Sequence, residues 1–139
     1  MTIVVNVFHF NSFFLRKLSV SCGNKTSKRI MKKKFEIEFL PEALDFIYNL
    51  DEKTSGKILY NIDKASYSTD PKLFKKLTKD IWEFRTKYDK KQYRLLAFWD
   101  RRDKQEILVI SSHGFIKKQS KIAKKEIKKA EQAMKGYFK

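Results

Sequence analysis

Between Ile81 and Phe115 short apolar runs alternate with charged turns. Trp82, Phe84, Thr86 and Tyr88 alternate with Ile81, Glu83, Arg85 and Lys87, the period-two pattern of a half-buried strand. The runs Tyr93 to Trp99 and Glu106 to Ile110 are rich in aromatic or β-branched residues, and Asp89-Lys90-Lys91 and Asp100 to Lys104 supply polar connections, so this stretch predicts an antiparallel meander. Upstream, Phe35, Ile37 and Phe39 alternate with Glu36 and Glu38, which predicts another strand. Pro41 suits the first turn of a helix, where its missing donor costs little, and Leu44, Ile47 and Tyr48 follow at helical spacing. Asp51 can cap a second helix, in which Ser55, Ile58, Leu59, Ile62 and Ala65 share one face while Lys57 and Lys64 face elsewhere. After the meander, Ala123, Ile127, Ala130, Met134 and Tyr137 form the apolar stripe of a last helix whose lysines are left for solvent or a partner. The predicted order is strand, two helices, three strands, helix. That is an α+β fold with a curved, mainly antiparallel sheet, an N-terminal helical hairpin and a C-terminal helix.

The chain has 139 residues, enough for one sizeable core. Residues 1–30 read as a poorly ordered extension or a misassigned start: their aromatic run is broken by Asn6, His9, Asn11 and Ser12, and a Ser-, Gly-, Asn- and Lys-rich segment follows. Met31-Lys32-Lys33-Lys34 looks like a fresh amino terminus before the first strand, so residues 31–139 form the expected domain. The apolar run is shorter than a bilayer crossing and no basic segment precedes it, which argues against a membrane span or a secretory signal. With 32 basic and 16 acidic side chains the formal charge is +16, which favours a polyanionic partner without saying which one. The single cysteine, Cys22, excludes an internal disulfide and a cysteine-rich metal site. No phosphate-binding glycine loop or serine-triad signature is present, and neither a metal nor a cofactor is expected.

Several short motifs occur in a telling order. Lys76-Leu77 precedes Ile81-Trp82-Glu83-Phe84-Arg85; Tyr93-Arg94 follows; His113-Gly114-Phe115-Ile116-Lys117-Lys118 comes next; and Lys121, Glu126-Ile127 and Ala130 lie beyond. In this combination residues 35–139 resemble the RelE/ParE toxin superfamily, most closely the HigB-like, phage-derived branch of type II toxin-antitoxin systems. The resemblance implies a compact RelE/ParE-like fold and a cytoplasmic toxin neutralised by a cognate antitoxin. It also implies a ribosome-dependent endonuclease that cuts mRNA and inhibits translation, with ribosomal RNA contacts. A DNA gyrase-inhibiting toxin and a noncatalytic RNA-binding protein are the alternatives. Near the last helix a common Thr-Gln-Lys-Thr-Pro pattern is replaced by Gln119-Ser120-Lys121-Ile122-Ala123, so helix initiation is expected to shift toward Ser120.

Metal-free RNA cleavage uses the ribose 2′-hydroxyl as nucleophile, a base to deprotonate it, cations to stabilise the phosphorane and an acid for the leaving 5′-oxygen. Arg85 and Arg94 are the candidate catalytic, phosphate-binding cations, brought together if their strands are adjacent. The plainer alternative is exposed strand arginines, or ion pairs that orient Glu83 or Asp89. His113 is the candidate acid or base, or else a turn histidine bonded to the backbone. Lys117, Lys118 and Lys121 are candidate RNA contacts, Lys121 alternatively a solvated helix start. Tyr93 either stacks on a base or packs beside the sheet, and Trp82 and Phe84 are core or docking residues.

Overall fold

The computed structural model describes residues 5–6, 32–104, 106–110, 114–118 and 120–139. In chain order the elements are β1 (Val5–Asn6), β2 (Glu36–Phe39), α1 (Pro41–Tyr48), α2 (Glu52–Tyr67), β3 (Phe74–Lys76), β4 (Ile81–Tyr88), β5 (Lys91–Asp100), β6 (Ile107–Ile110), β7 (Phe115–Ile116) and α3 (Lys124–Tyr137). The strands make one open sheet in the order β1-β2-β6-β5-β4-β3, with β7 also pairing with β5. The expected meander is β4-β5-β6, and the expected helical hairpin is α1-α2. The pairing of β2 with β6 is parallel, so the sheet is mixed though largely antiparallel. Strands β3 and β7 are additions to the predicted order. Of the first thirty residues only Val5–Asn6 are described, pairing with Phe39 and Glu38; the expected character of the rest of that segment lies outside the described residues.

Local chemistry explains the helix starts and the central turn. Pro41 opens α1, and the Asp51 side chain caps α2 by accepting from the Thr54 amide at 3.0 Å and the Thr54 hydroxyl at 2.6 Å. Helix α3 begins later than expected, at Lys124. Ala123 is its N-cap and gives no side-chain cap, because a methyl group has no acceptor, and Ile122 before it packs half-buried against the core from non-helical backbone. Between β4 and β5, Asp89 and Lys90 have φ of 47° and 62°, and Tyr88 pairs with Lys91. This is the two-residue left-handed turn whose twist suits a hairpin. Counting outward from it, the ladder must place Arg85 opposite Arg94.

Helices cover both faces of the sheet. Ile37, Phe84, Tyr93, Leu95, Ala97, Leu108 and Ile110 pack with Ala43 and Ile47 of α1 and Ile58, Ile62 and Ala65 of α2. Ile81, Leu96, Phe98 and Val109 point the other way and pack with Ala130 of α3. Strand β5 is therefore buried without a break from Tyr93 to Phe98, losing the alternation of a one-sided strand. Asn61 ties α2 to β4 through a buried hydrogen bond from its Nδ2 to Thr86 Oγ1 at 3.2 Å. Trp82 and Phe84 both stack on Phe74, with ring centroids 4.9 and 4.7 Å apart, so β3 is pinned to β4 by aromatic packing. No helix among the described residues is long and apolar enough to cross a membrane.

A polar latch fastens the end of α3. The Tyr137 hydroxyl donates to Asp100 Oδ2 at 2.8 Å, and Arg102 donates to both Asp100 oxygens, at 3.0 and 2.8 Å. The Arg102 guanidinium also lies over the Tyr137 and Phe138 rings, 5.3 and 5.0 Å from their centroids. The Arg102 hydrogen bond, with help from Tyr137, holds the Asp100 carboxyl down at about 2. Burial, with the hydrogen bond to Asp100, pushes the Tyr137 hydroxyl up to about 12.

Both shifts set a pH window. Unfolded Asp100 takes up its proton at higher pH than folded Asp100, so its contribution is present above pH ~4 and disappears as the pH falls toward ~2. Tyr137 has the opposite sign: its contribution is complete below pH ~10 and is lost as the pH rises toward ~12. Urea unfolding at acid, neutral and alkaline pH should show Tyr137→Phe less stable at neutrality by roughly 1.5 to 3 kcal/mol, with the alkaline loss reduced. Superimposable curves would mean the Tyr137 hydroxyl carries no stability. A second expectation concerns Gly114, where a Cβ would lie 2.3 Å from two Phe46 ring carbons and 3.0 Å from Leu95 Cδ2. Gly114→Ala should destabilise by about 1 to 3 kcal/mol, and adding Phe46→Leu should recover part of that loss in a double-mutant cycle.

Candidate functional site

The Arg85–Arg94 pairing puts two guanidiniums side by side, an arrangement that like charges oppose. Glu83 resolves the conflict. It lies on the same face of β4 as Arg85, and its carboxylate sits between the pair: Oε1 is 3.5 Å from Arg85 Nε and Oε2 is 3.5 Å from Arg94 Nε. Glu83 and Arg94 are 6% and 4% exposed, so this is a buried ion pair, whereas Arg85 reaches the surface. The terminal nitrogens of Arg94 donate to the Tyr93 carbonyl at 3.0 Å and to Gln92 Oε1 at 2.9 Å. Its Nε and Glu83 Oε2 are in charge contact but have no hydrogen-bond partner among the described residues. Burial pushes the Arg94 pKa down, the Glu83 carboxylate pulls it up, and Arg85 pushes it down again. Arginine starts so high that Arg94 is a cation at neutral pH all the same.

These arginines open onto a cleft of about 520 Å³. Strand β3 pairs with β4 only as far as Phe84, so beyond the bond from the Arg85 amide to the Leu73 carbonyl the outer edge of β4 has no strand beside it among the described residues. The cleft lies at that edge. Helix α2 contributes Lys57, Tyr60, Asn61 and Lys64, which recur at helical spacing along one side; Lys72 and Leu73 come from the chain before β3. Strands β4 and β5 contribute Arg85 and Lys87, and Gln92 and Arg94. Six cations line it, with no carboxylate or imidazole among the described residues. Such a lining suits a phosphate-bearing polyanion. A larger hollow of about 740 Å³ lies between α1 and α3, but Glu42 and Asp45 line it along with Lys129, so it lacks the one-signed field of the cleft. Among the described residues no group of three His, Cys, Asp or Glu side chains is placed to hold a metal.

The residues singled out from the sequence are distributed unevenly about this cleft. Arg85 and Arg94 meet there. Tyr93, a candidate RNA contact with packing beside the sheet as its alternative, is 4% exposed in the core beneath α1 and α2, on the opposite sheet face from Arg94, as the packing alternative has it. Phe115 of β7 pairs with Arg94 and the Lys117 amide donates to the Gln92 carbonyl at 2.7 Å, so the backbone leading to Lys117 and exposed Lys118 passes beside Gln92. Lys121 is exposed and does not line the cleft. His113 lies outside the described residues. Tyr60, Lys87 and Gln92 were missed, as was the placement of Lys57 and Lys64 in a site. For Tyr60, Lys57 and Lys64 the available signal was the polar stripe of α2, which faces away from the apolar one; for Lys87 and Gln92 it was their place two residues along the strands from Arg85 and Arg94, on the same face.

Residues 45–135 match the family described as phage-derived protein Gp49-like (DUF891). No curated protein and no solved structure matches the chain.

Removing the carboxylate tests the ion-pair geometry. Glu83→Gln leaves two cations without their shared anion, one of them buried, and should cost roughly 3 to 5 kcal/mol in denaturant unfolding. Adding Arg94→Met should restore much of that stability, since the penalty lies in the unpaired buried charge. No rescue by the second change would sink this account.

Proposed function

The chain belongs to the phage-derived Gp49-like family, and from that premise we propose that it is the toxin of a type II toxin-antitoxin system, a ribosome-dependent mRNA endonuclease that inhibits translation. The observation that carries the reading is the Arg85–Arg94 pair, preorganised about Glu83 at the wall of a cleft lined by cations. The ordered motifs that resemble the HigB-like branch of the RelE/ParE superfamily support it. In this reading the RNA 2′-hydroxyl loses its proton and attacks the adjacent 3′-phosphate, closing a 2′,3′-cyclic phosphate while the bond to the next nucleotide's 5′-oxygen breaks and that oxygen leaves as a hydroxyl. Arg85, with Arg94 behind it, stabilises the charge that grows on the non-bridging oxygens, and cations already fixed in place do so without reorganising. His113 supplies the proton transfer by its imidazole chemistry. Lys117, Lys118 and Lys121 bring charge to ribosomal RNA, and the protein acts in the cytoplasm until a cognate antitoxin neutralises it.

One observation favours a second reading, a noncatalytic RNA-binding protein. The carboxylate nearest the arginines is buried and held by both, so no described side chain of the cleft is an acceptor suited to general base work. Proton transfer in the endonuclease reading is assigned to His113.

A reconstituted translation reaction with mapping of transcript 5′ ends separates the readings. The full chain should cut mRNA within the decoding site only when ribosomes are present. Arg85→Ala, which leaves the buried Arg94–Glu83 contact in place, should lower cutting roughly 100-fold while melting as a folded protein. Undiminished cutting by folded Arg85→Ala would sink the site. RNA retained but uncut would favour the binding protein, and gyrase-dependent DNA breaks without new RNA ends would favour a gyrase inhibitor.

A further inference from the structure

Tyr60 is 50% exposed, on the side of α2 that faces away from its packed apolar stripe. It lies on the cleft side of α2 with Lys57 and Lys64, and the Lys57 ammonium sits 5.5 Å from its ring centroid. Asn61, the next residue, is anchored to Thr86 of β4, which fixes this turn of the helix against the strand that carries Arg85. An exposed ring thus stands on a fixed support, across a cleft from a pair of arginines, with lysines before and after it along the helix.

We infer that Tyr60 is the base-stacking platform of this cleft, and that the cleft selects single-stranded over double-stranded RNA. The inference rests on the nucleic-acid reading of the site, not on cleavage. A cleft of about 520 Å³ has room for a nucleotide-sized group, with its phosphate toward Arg85 and its base toward α2. Only an unpaired base has a face to offer the ring; in a duplex both faces are stacked and the phosphates alone are available. The lysines follow the backbone on either side of the stacked base, so affinity comes from charge and strand selectivity from the ring. Every base has a π-face, so this platform tolerates many sequences.

Fluorescence anisotropy with a labelled RNA hexanucleotide, free and annealed to its complement, tests the assignment on the full chain without ribosomes. Tyr60→Ala should weaken single-strand binding by roughly 5- to 100-fold, Tyr60→Phe should keep it, and duplex binding should be the same for all three proteins. A wild type that does not prefer the single strand would overturn the inference. So would an alanine variant that binds as wild type, or a phenylalanine variant as weak as alanine, since then the ring is not what binds. Ring-dependent binding by a chain that never cuts mRNA would sink the endonuclease reading and leave this one standing. Ribosome-dependent cutting with single-strand binding indifferent to residue 60 would do the reverse.

Discussion

A single buried carboxylate permits the arrangement at the centre of this protein. The β4–β5 register forces Arg85 and Arg94 to face each other, and burial of Arg94 makes its charge expensive. Glu83 lies within 3.5 Å of both and offsets that cost with one oxygen for each arginine. The register in turn depends on a turn of two left-handed residues; one residue more or fewer would send Arg94 to the other face. Turn, register and carboxylate are therefore one device, and the cationic cleft is its consequence.

The layering explains why the cleft lies where it does. With α1 and α2 on one face and α3 on the other, the middle of the sheet is closed to any ligand. The part of β4 that β3 does not reach is left open, and there α2 turns a basic face toward the strand edge. At the other end of β5 the contacts of Asp100, Arg102 and Tyr137 serve a different purpose. They hold the C-terminal helix by hydrogen bonds and ring contacts, and their perturbed proton affinities reflect this structural role.

The candidate site was partly legible. Arg85 and Arg94 stood out because each lies in a strand-like segment and in a short motif of the resemblance. The same alternation that marked those strands also separates Tyr93 from Arg94: neighbours on one strand point to opposite faces, so a tyrosine next to a site arginine belongs to the other side. The basic and aromatic face of α2 escaped notice for a different reason. A polar helical stripe looks the same whether it meets water or walls a cleft, and only the strand brought up to it tells the two apart.

Periodicity and turn chemistry determined by themselves that the chain is α+β, with a helical hairpin whose first helix opens at Pro41 and whose second is capped by Asp51, a three-strand meander and a terminal apolar stripe. Those features depend on neighbours within a few residues, so they are written locally. Tertiary structure decided the parallel pairing of β2 with β6, the short strands β3 and β7, and the late start of α3 at Lys124. Each depends on partners distant along the chain. Strand β3 is three residues held by Phe74 stacking on Trp82 and Phe84, and β7 is two residues bonded to Tyr93 and Arg94, runs too short to carry a period. The meeting of Tyr60, Arg85 and Arg94 around one cleft is of the same kind, because a helix face and a strand edge become a site only when folding sets them opposite each other.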